Sequence, residues 1–156
     1  MTDDLRALVG HRLTRAYETL AEARGLCQMN APGGALNRLY YAALYAARAL
    51  LATEQVDSSK HSGVIALFQR HFVKSGIISP DRFRVFPRAF EKRLKSDYGD
   101  FATSTMDEVN VVSTEIEAFL RDCERILRER QALCDDWHPP KRQDPTLIHR
   151  PSALEP

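Results

Sequence analysis

The stretch Asn37-Arg38-Leu39-Tyr40-Tyr41-Ala42-Ala43-Leu44-Tyr45-Ala46-Ala47-Arg48-Ala49-Leu50-Leu51 decides the fold. It holds no glycine or proline and is dominated by strong helix formers, so it predicts a helix, about Ala35–Glu54. At 100° per residue, Leu36, Leu39, Tyr40, Ala43, Ala47 and Leu50 form one apolar stripe. Tyr41, Leu44, Tyr45 and Ala49 lie on the other side. A helix apolar all round is buried all round. A small bundle has few elements to cover both faces, so Tyr41, Leu44 and Tyr45 are expected to meet a second subunit, in a homodimer, the alternative being that the short helix or the tail covers them.

Helical periodicity continues on either side. A first helix is predicted at about Asp3–Gln28, with Leu5, Leu8, Val9, Leu13, Ala16, Leu20 and Ala23 on one stripe. Asn30-Ala31-Pro32-Gly33-Gly34 breaks it. A third helix is expected at about Lys60–Lys74, with Ser58 and Ser59 as natural N-caps and Ser75-Gly76 closing it. A fourth lies within Pro80–Tyr98, which Pro87 either kinks or restarts. Thr105-x-x-Glu108 is a capping box that opens a fifth, about Met106–Cys134, whose core stripe includes Val109, Val112, Ile116, Phe119, Leu120, Cys123 and Leu127. No stretch alternates as a strand would. The expectation is an all-α, up-and-down bundle of four long helices and one shorter one, over residues 1–134. Five of the eight prolines fall in 135–156, which reads as a mostly disordered tail whose start Trp137 pins to the body.

Composition narrows the functional classes. The 156 residues carry 22 basic and 21 acidic side chains, a net charge of +1, which excludes a polyanion-coating protein. The chain has no apolar run near the 18 or so residues a membrane span needs. It has no secretory signal pattern, and its three cysteines form no CxxC, so reduced thiols and a cytoplasmic location are expected. Phosphate-cradling loops, an HExxH site and a Gly-x-Ser-x-Gly elbow are all missing. No metal site or cofactor is expected, and the five histidines are scattered.

Two places still carry chemistry. Lys60 and His61 fall in the first turn of the third helix, at the positive end of its dipole. A bound anion would offset that, and so would simple solvation. From Arg82 to Lys95 there are six basic residues and one acid, Glu91. Arg84, Arg88, Lys92 and Lys95 form an outer basic face, opposite Phe83, Phe86, Phe90 and Leu94. Arg93 differs. It sits beside Phe86 at the edge of the core, within helical ion-pair reach of Asp97.

Asn37-Arg38-Leu39-Tyr40-Tyr41-Ala42 through Leu50-Leu51, Ser59-Lys60-His61-Ser62-Gly63-Val64-Ile65 through Phe68 and Phe72-Val73-Lys74-Ser75-Gly76, and Arg93-x-x-x-Asp97-Tyr98 together resemble the HEPN domain of small stand-alone prokaryotic proteins. The resemblance covers roughly residues 5–130. It implies a helical bundle, commonly homodimeric, often encoded beside a small nucleotidyltransferase in a toxin–antitoxin-like pair. Many members are metal-independent ribonucleases carrying Arg-x(4–6)-His. Here Arg93 matches that arginine, but five residues on stands Tyr98, and a phenol is a poor base at neutral pH. Two other such spacings, Arg6…His11 and Arg142…His149, are no more than chance supplies, and neither lies on the matching helix. The resemblance therefore implies a binding module for nucleotide, RNA or a nucleotidyltransferase, with no catalytic residue assigned. Its polar surface would be Arg38, Lys60, His61, Arg93, Asp97 and Tyr98. A ribonuclease using His61 or Tyr98, and a pure protein-interaction module meeting an acidic partner through the basic face, are the alternatives.

Overall fold

The computed structural model describes residues 1–98 and 104–141, and those residues are all-helical, with no strand among them. The order is α1 (Asp3–Gln28), α2 (Pro32–Thr53), α3 (His61–Phe68) with one π turn after it (Gln69–Val73), a single turn α4 (Pro80–Phe83), α5 (Val85–Tyr98) and α6 (Met106–Glu129).

The expected elements are present, with local differences that have physical causes. Pro32 opens α2 at its first helical position, where no backbone N–H is needed, and does not lie in the break before it. The third helix is α-helical only to Phe68. The fourth is divided at Arg84, so that Pro87 falls in the first turn of α5, again where its missing N–H costs nothing. The capping box forms, with the Thr105 hydroxyl accepting from the Glu108 N–H at 3.2 Å. The last helix stops at Glu129, five residues short of Cys134, and Gln131 turns the chain with a positive φ of 55°.

α2 is the central helix. Its alanines at 35, 42, 43, 46, 47, 49 and 52 are all buried, and α1, α3, α5 and α6 pack around it. This corrects the expectation for its second face at one position of the three. Leu44 is 1% exposed within one chain, so it has no surface to offer a partner. Tyr41 and Tyr45 alone keep part of theirs.

Many of the arginines are struts between helices. Arg24–Glu117 (2.6 Å) and the Tyr17 hydroxyl donating to Glu124 (2.7 Å) tie α1 to α6. Arg82–Asp122 (2.7 Å) ties α4 to α6, and Arg130–Glu54 (2.7 Å) ties α6 to the end of α2. Past α6 the chain folds back on α1. There the Trp137 indole N–H lies 3.0 Å from the Thr14 hydroxyl and 3.2 Å from the Gly10 carbonyl, and donates to both. A Cβ at Gly10 would stand 3.2 Å from the indole ring, which is why glycine suits that position. The remainder of the proline-rich tail, with Arg142 and His149, lies outside the described residues.

Candidate functional site

The site is built on Tyr40 and Tyr41, which adjoin on α2 and share an edge-to-face contact at 5.3 Å. Their register on the central helix brings three elements to one point. From α3 comes His61, its ring 5.6 Å from Tyr40 and 5.7 Å from Tyr41. From α5 comes Arg93, whose guanidinium carbon lies 5.5 Å from the Tyr40 ring centre and 5.3 Å from that of Tyr41. From one turn earlier on α2 comes Arg38, 5.0 Å from the Tyr41 ring. Phe90 closes the inner side, 5.4 Å from Tyr40. A guanidinium over an aromatic face is held by the ring quadrupole and keeps its N–H edge free for another partner.

Arg93 is where the sequence places it, at the core edge with its side chain 16% exposed, and its Nε is 3.1 Å from Asp97 Oδ2. The N–H is not aligned on that oxygen, so the pair is electrostatic and the donor is left over. Arg38 gives two hydrogen bonds to Asn37 Oδ1, at 3.1 and 2.8 Å. Burial holds the His61 pKa below its ordinary value, and the positive charges of Arg93 and Arg48 lower it further. Its imidazole is therefore neutral at pH 7. The same burial pushes the Tyr40 phenol well above its ordinary value, so it remains a hydroxyl.

The segment leading into α3 is fastened from the other side. Arg48 Nη2 donates to the Ser58 carbonyl at 3.3 Å, and Arg12 donates to the Arg48 carbonyl at 3.0 Å. Both arginines stand 3.7 Å from Asp57. Ser58 is not the N-cap of α3, as the sequence suggested. Its hydroxyl accepts from the Lys60 N–H at 3.2 Å, Lys60 takes the cap position, and no side chain caps the helix. Gly63 is required here, because a Cβ would fall on the Ser58 side chain.

Of the six polar residues read from sequence, Arg38, His61, Arg93 and Asp97 come together. Lys60 is exposed at the edge. Tyr98 ends α5, and its side chain lies outside the described residues. Tyr40 and Arg48 belong to the site and were not singled out. Tyr40 looked like core, and it is. Arg48 had a signal, being the one charge between Leu39 and Thr53 on an otherwise apolar helix. The outer basic face is partly as expected. Arg84, Arg88 and Lys95 are exposed, whereas Lys92 turns toward Glu108 at 3.8 Å. Among the described residues, no three His, Cys, Asp or Glu side chains are grouped to hold a metal ion. No helix among them is long and apolar enough to cross a membrane.

Relatives place this arrangement in a family. A UPF0332 protein of Thermotoga maritima is 36% identical over 115 residues, 74% of this chain and 87% of its own length. A Methanocaldococcus jannaschii protein named "Putative toxin MJ0605" is 30% identical over 129 residues, 83% of this chain and 96% of its own. A UPF0332 protein of Pyrococcus horikoshii is 33% identical over 104 residues, 67% of this chain and 68% of its own. The HEPN domain model matches residues 9–131, a span that includes α1 from Val9 onward, every later helix of the bundle and all of the cluster around Tyr40 and Tyr41, and the chain is a member of the HEPN domain family.

Proposed function

We propose that this chain is the HEPN half of a toxin–antitoxin-like pair, and that its Arg93 cleft binds the phosphates of RNA or a nucleotide without cleaving them. The carrying observation is that Arg93 lies over two tyrosine rings with His61 against the same rings, which joins a cation to aromatic side chains as nucleic-acid sites do. The toxin names of two relatives support the pairing. A small nucleotidyltransferase is the partner that the family resemblance suggests. Tyr98, where the usual catalytic histidine would stand, supports binding without cleavage.

A second reading, ribonuclease, is favoured by one observation: His61 is neutral and lies beside Arg93. In that chemistry His61 takes the proton of a ribose 2′-OH, the 2′ oxygen attacks phosphorus, and the 5′ oxygen leaves as a hydroxyl, taking its proton from water. The product is a 2′,3′-cyclic phosphate, and Arg93 stabilises the charge that develops. Labelled single-stranded RNA in EDTA separates the two. Retention without cleavage, lost in Arg93→Ala, is the expected result. Cleavage that disappears in His61→Ala establishes the second reading, and absence of both sinks the two together.

Homodimerisation belongs to the same proposal. Tyr41 and Tyr45, 6.2 Å apart and half-buried, each carry an arginine over the ring, Arg38 and Arg15. Such a face suits an interface rich in Tyr and Arg. Sedimentation is expected to give about twice 17.7 kDa, with Tyr45→Glu shifting it to the monomer. A wild-type monomer at micromolar concentration refutes this.

A further inference from the structure

Among the described residues, three buried side-chain polar atoms lack a hydrogen-bond partner: the Tyr40 hydroxyl, Arg48 Nε and Arg93 Nε. Their distribution is not scattered. Arg93 lies over the Tyr40 ring, His61 packs against that ring, and Arg48 holds the Ser58 carbonyl three residues before His61. Buried polar groups are nearly always paired, so three orphans around one histidine call for a missing partner.

All three can donate, so what completes them is an acceptor. The carboxylates nearby are engaged without satisfying them. Asp97 is close to Arg93 Nε but off its N–H axis, and Asp57 is shared by Arg12 and Arg48 at 3.7 Å each. The first turn of α3 adds to this, with no side-chain cap, no acid, and Lys60 and His61 at its positive end. A water would answer one or two donors and leave the surplus positive charge. An oxyanion with several acceptor oxygens answers both.

Burial limits which oxyanion fits. Tyr40 is 0% exposed, and of the side chains on its ring Phe86 is also fully buried, while Tyr41, His61, Phe90 and Arg93 keep some exposure. An internal phosphodiester carries chain on both sides and stays at that rim. A phosphate at the end of a molecule reaches further in. Building on the reading of this cleft as a phosphate site, we infer that the seam between α2, α3 and α5 holds a terminal phosphate, with Tyr40, Arg48 and Arg93 as its donors. Inorganic phosphate, a nucleoside monophosphate and a phosphorylated RNA end share this chemistry.

The test measures affinity of the full chain for three short single-stranded RNAs of one sequence, bearing a 5′-phosphate, a 3′-phosphate or neither. Inorganic phosphate and uridine 5′-monophosphate serve as competitors. One phosphorylated end is expected to bind at least tenfold tighter than the unphosphorylated RNA. The competitor that removes that gain identifies the source. Tyr40→Phe is expected to lose about fivefold of the gain with an unchanged or raised melting temperature, since its hydroxyl is unpartnered in the free protein. Equal affinity for all three RNAs overturns the inference, and needs no variant to be seen. If that equal affinity still depends on Arg93, the cleft stands and only the terminal-phosphate pocket falls. No binding by any RNA or by inorganic phosphate removes both. An undiminished gain in Tyr40→Phe also overturns it.

Discussion

Phe68→Ala is expected to lower the free energy of unfolding by about 3–5 kcal/mol, the range for a large aromatic removed from a packed core. Phe68 is 0% exposed and ends α3. Its ring meets Phe72 at 5.2 Å, Phe119 at 5.5 Å, Phe83 at 5.9 Å and Phe86 at 6.1 Å. Those four rings come from the π turn, α6, α4 and α5, so one side chain closes five pieces of chain on each other. Domains are stable by only about 5–15 kcal/mol, so the variant sits near the folding threshold. Urea denaturation measures the loss directly. A thermal scan should show a drop of roughly 6–20 °C, at about 2–4 °C per kcal/mol for a chain of this size. Phe68→Leu, which refills most of the volume, should cost much less. The site is coupled to this packing, because α3 carries His61 at its other end. A loss under about 1 kcal/mol would mean that α3 is not held by this cluster, and that the placement of His61 rests on the Arg48–Ser58 contact and on its own packing against Tyr40, Tyr41 and Phe90.

How much of this was legible follows from the physics of each element. The bundle was, because α1, α2 and α6 are long and strongly periodic, and Thr105 and Glu108 announce a helix start by chemistry that depends on nothing distant. Boundaries near proline were less so. Pro32 and Pro87 read as breaks, yet a proline in a first turn is at home, and sequence alone does not say on which side of it the helix begins. Covering of α2 at Leu44 was not legible for a different reason. Whether a second apolar face is met within the chain depends on how many elements crowd round it, and the short α3 together with the divided α4–α5 was enough. At the site, Arg93 and Asp97 were legible because both ends of the pair lie on one helix. The cluster as a whole was not. His61 meets Tyr40 across a loop, and Arg48 reaches Ser58 across ten residues, distances that only the fold closes. The family resemblance singled out His61 without supplying its neighbours. Tyr40 was hidden because a buried aromatic at helical spacing is nearly always core, and only its unpaired hydroxyl marks it as more.

Arg93 distinguishes a working site from scaffolding more sharply than any other position. Arg93→Ala removes a guanidinium that contacts two rings and faces Asp97. Cation–π contacts of this kind are worth about 0.5–2 kcal/mol, so a stability loss of about 1–3 kcal/mol is expected, short of unfolding. Affinity for RNA or phosphate should fall by about 10–100-fold, the value of one lost charge-assisted contact of roughly 1.5–3 kcal/mol. Arg93→Lys separates the two effects. It keeps the charge beside Asp97, so melting should change little. It loses the planar fork and the stacking over Tyr40 and Tyr41, so affinity should still fall by about tenfold. The salt dependence should persist, because a point charge still neutralises a phosphate. The measurement is affinity per folded molecule at two salt concentrations, alongside the melting temperature, for wild type and both variants. A scaffold arginine behaves in the opposite way: both variants lose stability, Asp97 is left without its cation, and the folded fraction binds as wild type does. That outcome would move the ligand site away from Arg93 and leave the guanidinium as the pin that fastens α5 to the tyrosines of α2.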